Sequence, residues 1–222
     1  MPVVINGTTG VNTPAPLSLS STTLSTAVPG NLEYDGRLPY FVPQGVQRGV
    51  IPGMQFYRLD SALAGANVNT AQNLFGVGVT LSSSTVYKFE AVFALSKASG
   101  TTSHTLSALF GGTATINNIM WGASGTWFGT TAAPNGYASA IIGGFSSPNN
   151  NTTQLMPAQT NATVSMWFVM QGTVSINAGG TFAPQYILSA APGSAYSTLA
   201  GSYFSIYPIG ASGSNISVGA WA

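Results

Sequence analysis

Of 222 residues only 4% are charged: five Lys or Arg and four Asp or Glu, with a single histidine and a formal net charge of +1. Soluble domains carry about 25% charged residues, so acid–base catalysis, most metal sites and electrostatic nucleic-acid binding are short of the groups they need. Every acidic and basic residue lies between Glu33 and Lys97, and the 125 residues after Lys97 carry none.

What remains is a Ser, Thr, Asn and Gly surface around an aromatic and aliphatic interior, which suits a durable assembly part better than an enzyme. The length accommodates one large β domain with an appendage. Arg37, Arg48, Arg58, Lys88 and Lys97 are interleaved with the acids, so no polycation face forms and nucleic acid is not expected as a partner. Cysteine is absent, which removes disulfides and thiolate metal sites. The N-terminal stretch MPVVINGTTGVNTPAP has neither a basic n-region nor a long apolar h-region. The densest apolar run, 164–170, is far below the roughly 20 residues of a membrane helix. Cytosolic synthesis without membrane insertion is the expectation.

In chain order, residues 1–30 are rich in Thr, Ser and Pro, and Pro2, Pro14, Pro16 and Pro29 oppose helix and central strand. They read as an extended arm that alone buries too little apolar surface to offset its ordering entropy. Residues 31–43 (NLEYDGRLPYFVP) place Asp35-Gly36 between two apolar-aromatic runs. A β-hairpin is expected, with its type I′ tip at that pair; Pro39 and Pro43 confine its second strand to a short or edge position. Residues 1–50 thus form the arm with its hairpin, and 51–222 the main domain.

From residue 51 the chain reads as strand after strand. Residues 85–95 alternate, with Tyr87, Phe89, Ala91, Phe93 and Leu95 on the core face. In 104–110, His104, Leu106, Ala108 and Phe110 share a face. In 164–170, Val164, Met166, Phe168 and Met170 oppose Ser165, Trp167 and Val169. Further strands are expected at 54–60, 74–81, 113–121, 137–145, 172–178, 182–190, 202–209 and 216–221, separated by Gly, Pro, Asn and Ser clusters. Residues 60–71 offer one or two helical turns at best. With no fixed-period repeat, an all-β, jelly-roll-like antiparallel β-sandwich is the expected fold.

Chemistry is sparse. His104 is the sole histidine, on an apolar face, and no G-x-S-x-G elbow occurs. Glu33 and Asp35 share a strand face, but Asp35 is better explained as the turn residue, and Asp60 with Glu90 is a weak candidate for a glycosidase pair. No catalytic residue, metal or cofactor is assigned. The glycine pairs at 111–112, 143–144 and 179–180 lack phosphate-loop spacing. Residues 118–137 read as a loop combining Trp121, Trp127, Phe128 and Tyr137 with small residues. These rings are candidates for stacking on a neutral glycan or for contacts between copies, against the plainer reading that they pack in the core.

Two segments resemble structural proteins of tailed bacteriophages, especially phages of cyanobacteria. One is Pro29-Gly-Asn-Leu-Glu-Tyr-Asp-Gly36 followed by Tyr40-Phe-Val-Pro43 and Arg48-Gly-Val-Ile51. The other runs through Gly172-Thr-Val-Ser-Ile-Asn-Ala178, Gly180-Thr-Phe-Ala-Pro-Gln185, Ser189-Ala-Ala-Pro-Gly193, Gly201-Ser-Tyr-Phe-Ser-Ile-Tyr-Pro-Ile-Gly210 and Val218-Gly-Ala-Trp221. The resemblance implies a non-enzymatic virion protein that assembles as a homotrimer. The expected role is capsid decoration or cement on the phage head, with the arm clamping the major capsid protein or neighbouring subunits through Leu32, Tyr34, Tyr40, Phe41 and Arg48. A head or tail fibre protein that binds host-surface glycan is the alternative.

Overall fold

A computed structural model describes residues 19, 21, 23–129, 138–146, 152–219 and 221. All regular structure among them is β-strand. The chain divides into two units, one comprising Met1–Pro52 with Ile216–Ala222 and the other Gly53–Asn215. The division at Pro52 lies close to the boundary expected from sequence. Residues 216–221 depart from expectation: they belong to the first unit and contain no strand among the described positions.

In the first unit β1 (Leu32–Tyr34), β2 (Pro39–Phe41) and β3 (Gly49–Val50) form an antiparallel sheet in that order. The hairpin register pairs Tyr34 with Pro39, so the turn is a four-residue loop, 35–38, and not the two-residue turn expected. Gly36 has a positive φ of 92° whereas Asp35 does not. Asp35 instead caps the loop through its side chain, Oδ1 accepting the N–H of Arg37 at 2.8 Å and of Leu38 at 2.7 Å. This Asx arrangement satisfies the backbone that a tighter turn would have paired. β2 is short, as its prolines require, yet central, because Pro39 opens the strand and contributes its carbonyl to Ile51 N–H.

The second unit contains β4 (Gln55–Arg58), β5 (Leu63–Ala64), β6 (Gln72–Asn73), β7 (Val79–Leu81), β8 (Thr85–Lys97), β9 (His104–Gly111), β10 (Thr115–Gly129), β11 (Ala138–Ser146), β12 (Thr153–Gln159), β13 (Val164–Ala178), β14 (Gly180–Leu188), β15 (Ser197–Thr198) and β16 (Tyr203–Ala211). A large sheet runs β11-β10-β13-β8, and beyond β8 it continues through β16 to β4 along one stretch and through β15 to β5 along another. A smaller sheet runs β12-β9-β14, with β6 and β7 side by side on the far edge of β14. All pairings are antiparallel. Three of the longer ones are nested, β8 with β16, β9 with β14, β10 with β13, alternately in the large and small sheets, while β8 also pairs with β13 and so joins the first and last of these. This nesting is how a jelly roll closes two sheets over one core.

Alternation in sequence supplies that core. Tyr87, Phe89, Phe93 and Leu95 of β8, Met166, Phe168 and Met170 of β13, and Phe204 and Ile206 of β16 face Leu106 and Phe110 of β9 and Phe182, Tyr186 and Leu188 of β14. At its centre Phe110 stacks on Phe182 at 4.8 Å and meets Phe89 edge-on at 4.9 Å, the offset and T-shaped geometries that aromatic quadrupoles favour.

The strand expected at 74–81 is confined to Val79–Leu81, and three other segments differ from the sequence reading. The span taken as an aromatic loop is strand as far as Gly129, clamped between β11 and β13. Its small residues are packing devices: a Cβ on Gly125 would fall onto Trp167 O and the Phe168 ring, and one on Gly172 of the facing strand would lie 2.7 Å from Trp121 Cα. Residues 164–178, expected as two strands, are one. β12 was not expected at all, because Pro157 and its polar neighbours mask the pattern; it is an edge strand with register shifts, where proline is tolerated.

Candidate functional site

The ions mostly hold their own neighbourhood. Glu33 pairs with Arg48 at 2.7 Å and accepts both the N–H and the hydroxyl of Ser25, at 3.0 and 2.6 Å. The Ser25 hydroxyl and then Arg48 hold its carboxyl below the usual range. Asp35 caps its loop and accepts the Tyr40 hydroxyl at 2.9 Å. Arg58 pairs with Asp60, and Glu90 accepts the Tyr203 hydroxyl at 2.7 Å. Among the described residues no three His, Asp or Glu side chains gather as a metal site would require.

The most enclosed polar cluster lies where β8 ends. Lys97 is 3% exposed, and its ammonium donates to the carbonyls of Asn161 (2.6 Å), Gly100 (2.7 Å), Ser99 (3.2 Å) and Ala162 (3.2 Å). Burial pushes its pKa down. His104 is buried alongside. Its Nδ1 lies 2.7 Å from Thr102 O, an acceptor, so Nδ1 carries the proton and Nε2 accepts the Tyr196 hydroxyl at 2.8 Å. Gln159 Nε2 stands 3.0 Å from the same nitrogen, while its Oε1 takes the Asn161 N–H. Burial lowers the His104 pKa, the Thr102 bond opposes this, and Lys97 lowers it further. The imidazole is neutral with both nitrogens committed, so it ties loops 98–103 and 160–163 to the sandwich and offers no base to a substrate.

The candidate rings fall in different places. Trp121, 3% exposed, meets Phe110 edge-on at 5.4 Å, so it is a core residue and presents no face to a sugar or a second copy. The inward alternation of β10 places it there. Trp127 is half-buried and packs against the core. Among the described residues neither indole N–H has an acceptor. The Phe128 side chain and Tyr137 lie outside the described residues. In the first unit Leu32 and Phe41 are exposed, Tyr34 is half-buried and Arg48 is engaged by Glu33. Tyr40 is buried, and burial followed by Asp35 pushes its phenol up to about 12; it therefore acts within its own unit and not as a surface contact.

The exposed aromatic surface is elsewhere. Trp167, 48% exposed, stands on the outer face of the large sheet between Ala94 of β8 and Thr126 of β10. A hollow of about 220 Å³ lies beside it, floored by Val92, Ala94 and residues 200–202. Farther along this face Phe56 stacks on Tyr203 at 5.4 Å. The sequence carried the signal in the alternation of 164–170, where Trp167 opposes the core set.

A second opening lies where the two sheets part. Gln55, Phe56 and Tyr57 of β4 and Val77, Gly78 and Val79 at β7 rim a slot of about 190 Å³ floored by Phe75, Phe204 and Ile206. Among the described residues β4 pairs only with β16 and β7 only with β14, so both rims are open strand edges.

No protein-family model and no curated protein matches the chain. Solved structures of infectious bursal disease virus are similar over 74–75% of it: the Gx strain at 8% identity and TM-score 0.18, the Gt strain at 15% and 0.20, and the VP2 subviral particle at 10% and 0.17. The chain spans 43–45% of the length of those chains. By its own strand pairing, it is an all-β protein whose second unit is an antiparallel sandwich.

Proposed function

We propose that this chain is a non-enzymatic structural protein of a virus particle, a capsid decoration subunit whose copies associate as a homotrimer through the outer face of the large sheet. The observation that carries this reading is that face: Trp167, Val92, Ala94, Val169, Phe56 and Tyr203 lie on it, with Lys88 and Glu90 as its central charges. A sheet face of that composition is what subunit contacts bury. The two phage-like sequence segments supply the virion context.

Light scattering on the purified protein tests the assembly. About 120 Å² of indole is open on Trp167, given the size of a tryptophan side chain. Its burial stabilises by about 3 kcal/mol, so Trp167→Ser weakens association by about 100-fold while circular dichroism is unchanged. Such contacts are little screened, so the oligomer persists in molar NaCl. A monomer at micromolar concentration overturns the reading. Deleting residues 1–30 leaves the oligomer but abolishes capsid binding, and unchanged capsid affinity removes the arm from the decoration role.

The hollow beside Trp167 favours one second reading, a fibre protein that stacks a neutral host sugar on the indole. Specific signals on a glycan array that vanish in Trp167→Ala support it over decoration.

A further inference from the structure

The slot between the open edges of β4 and β7 exposes apolar side chains that the sandwich could have covered: Tyr57 and Val77 of its lining are solvent-exposed, at 43% and 47%. Its floor, Phe75, Phe204 and Ile206, is core. A free strand edge beside an apolar opening is a template for an added strand, with backbone hydrogen bonds supplying affinity and alternate side chains filling the gap.

We infer that this slot receives the N-terminal segment of a second copy of the chain, with Val3 and Ile5 entering it and the backbone extending the β4 edge. Residues 1–18 lie outside the described residues and contain no charged side chain. Val3-Val4-Ile5 is their densest apolar run, β-branched throughout and so suited to a strand. Pro2 stands where an added strand would begin, a position proline tolerates. Slot and segment also match in charge: the lining residues include no Lys, Arg, Asp or Glu. The inference rests on the assembly reading and names where on a neighbour the arm engages.

The cysteine-free chain makes the test clean. Full-length Ile5→Cys and Val77→Cys proteins are mixed and oxidised, beside a control pairing Ile5→Cys with Thr101→Cys in the exposed loop after β8. The expected result is a disulfide-linked dimer of the two variants formed at least tenfold faster than the control. A second pair, Ile5→Cys with Gln55→Cys on the slot lining, gives the same product and loses it when the Gln55→Cys chain also carries Val77→Arg. Equal rates in the slot and control pairs overturn the inference. Light scattering on the same samples separates the two failures. An oligomer without the cross-link refutes the slot alone, whereas a monomer refutes the assembly on which it rests.

Discussion

Replacing Lys97 by Met removes one charge from the interior while keeping an apolar stem of similar length. The direction of the effect depends on two opposing terms. A buried ammonium costs several kcal/mol of desolvation, which Met avoids. Against that, four carbonyls at 2.6–3.2 Å lose their donor. Charge-assisted bonds contribute about 1.5–3 kcal/mol each, and an unsatisfied buried acceptor costs about 1–3 kcal/mol. With three N–H groups shared among four acceptors, and the outer carbonyls within reach of water, the hydrogen bonds outweigh desolvation by about 2–3 kcal/mol. Urea unfolding read by tryptophan fluorescence follows the second unit, which holds Trp121, Trp127 and Trp167; Trp221, in the first unit, is replaced by Phe. At an m-value of about 2–3 kcal/mol per M, the midpoint falls by about 1 M with m unchanged. A midpoint that stays within about 0.3 M, or rises, would show that desolvation wins and that the carbonyl cage contributes nothing net.

Three further outcomes follow from the same geometry. Because the folded-state pKa of His104 is held below its ordinary 6.5, the unfolded chain binds more protons in that window. Stability of the second unit is therefore full above pH 6.5 and declines as pH falls towards the folded value; His104→Gln removes this slope in urea midpoints taken from pH 7.5 to 5. Gly172→Ala drives a Cβ into β10 and costs about 3 kcal/mol, whereas at Gly122 nothing lies within 4 Å of the added Cβ. Gly122→Ala is accordingly neutral or stabilising by about 0.5–1 kcal/mol, and paired thermal melts compare the two. In Asp35→Asn the Tyr40 phenol titrates below the about 12 it shows beside the carboxylate, but above 10 because burial persists; ultraviolet titration of the phenols reads it.

How far residues revealed their place depended on whether one strand or two determined it. The core faces of β8, β9 and β13 were legible because period-2 alternation is a property of a single segment. Trp121 and Trp127 show what was not. Both lie among glycines, at 122, 125 and 129, and glycine next to aromatics reads locally as loop. Only the pairing of Trp121 with Gly172 and of Gly125 with Phe168 reveals that each glycine makes room for a ring on the opposite strand. That pairing brings together residues about 40–50 positions apart. The same applies to β12, whose proline is acceptable because β9 covers only one of its edges. The carbonyl cage around Lys97 was likewise hidden, since backbone acceptors leave no mark in sequence.

The distribution of charge then has a local cause. Glu33, Asp35, Arg48, Arg58, Asp60, Glu90 and Lys97 each bond a neighbour in their own unit. Asp35 and Lys97 act at a loop and a strand end, where backbone groups lack ladder partners, whereas Glu90 stands mid-strand on β8 and takes a side-chain hydroxyl. After Lys97 the long strands pair with one another almost continuously and leave little for an ion to satisfy. β10 and β13 match over nearly their whole length. A neutral C-terminal half is therefore compatible with a stable fold, and what it lacks is the electrostatic repulsion that keeps proteins apart in solution. Any surface patch that such a chain leaves apolar, as around Trp167 and at the mouth between β4 and β7, has no like-charge barrier against a second copy. In the assembly proposed above, contact between copies would be selected by shape and by strand-edge hydrogen bonding, the two properties that the exposed sheet face and the open slot offer.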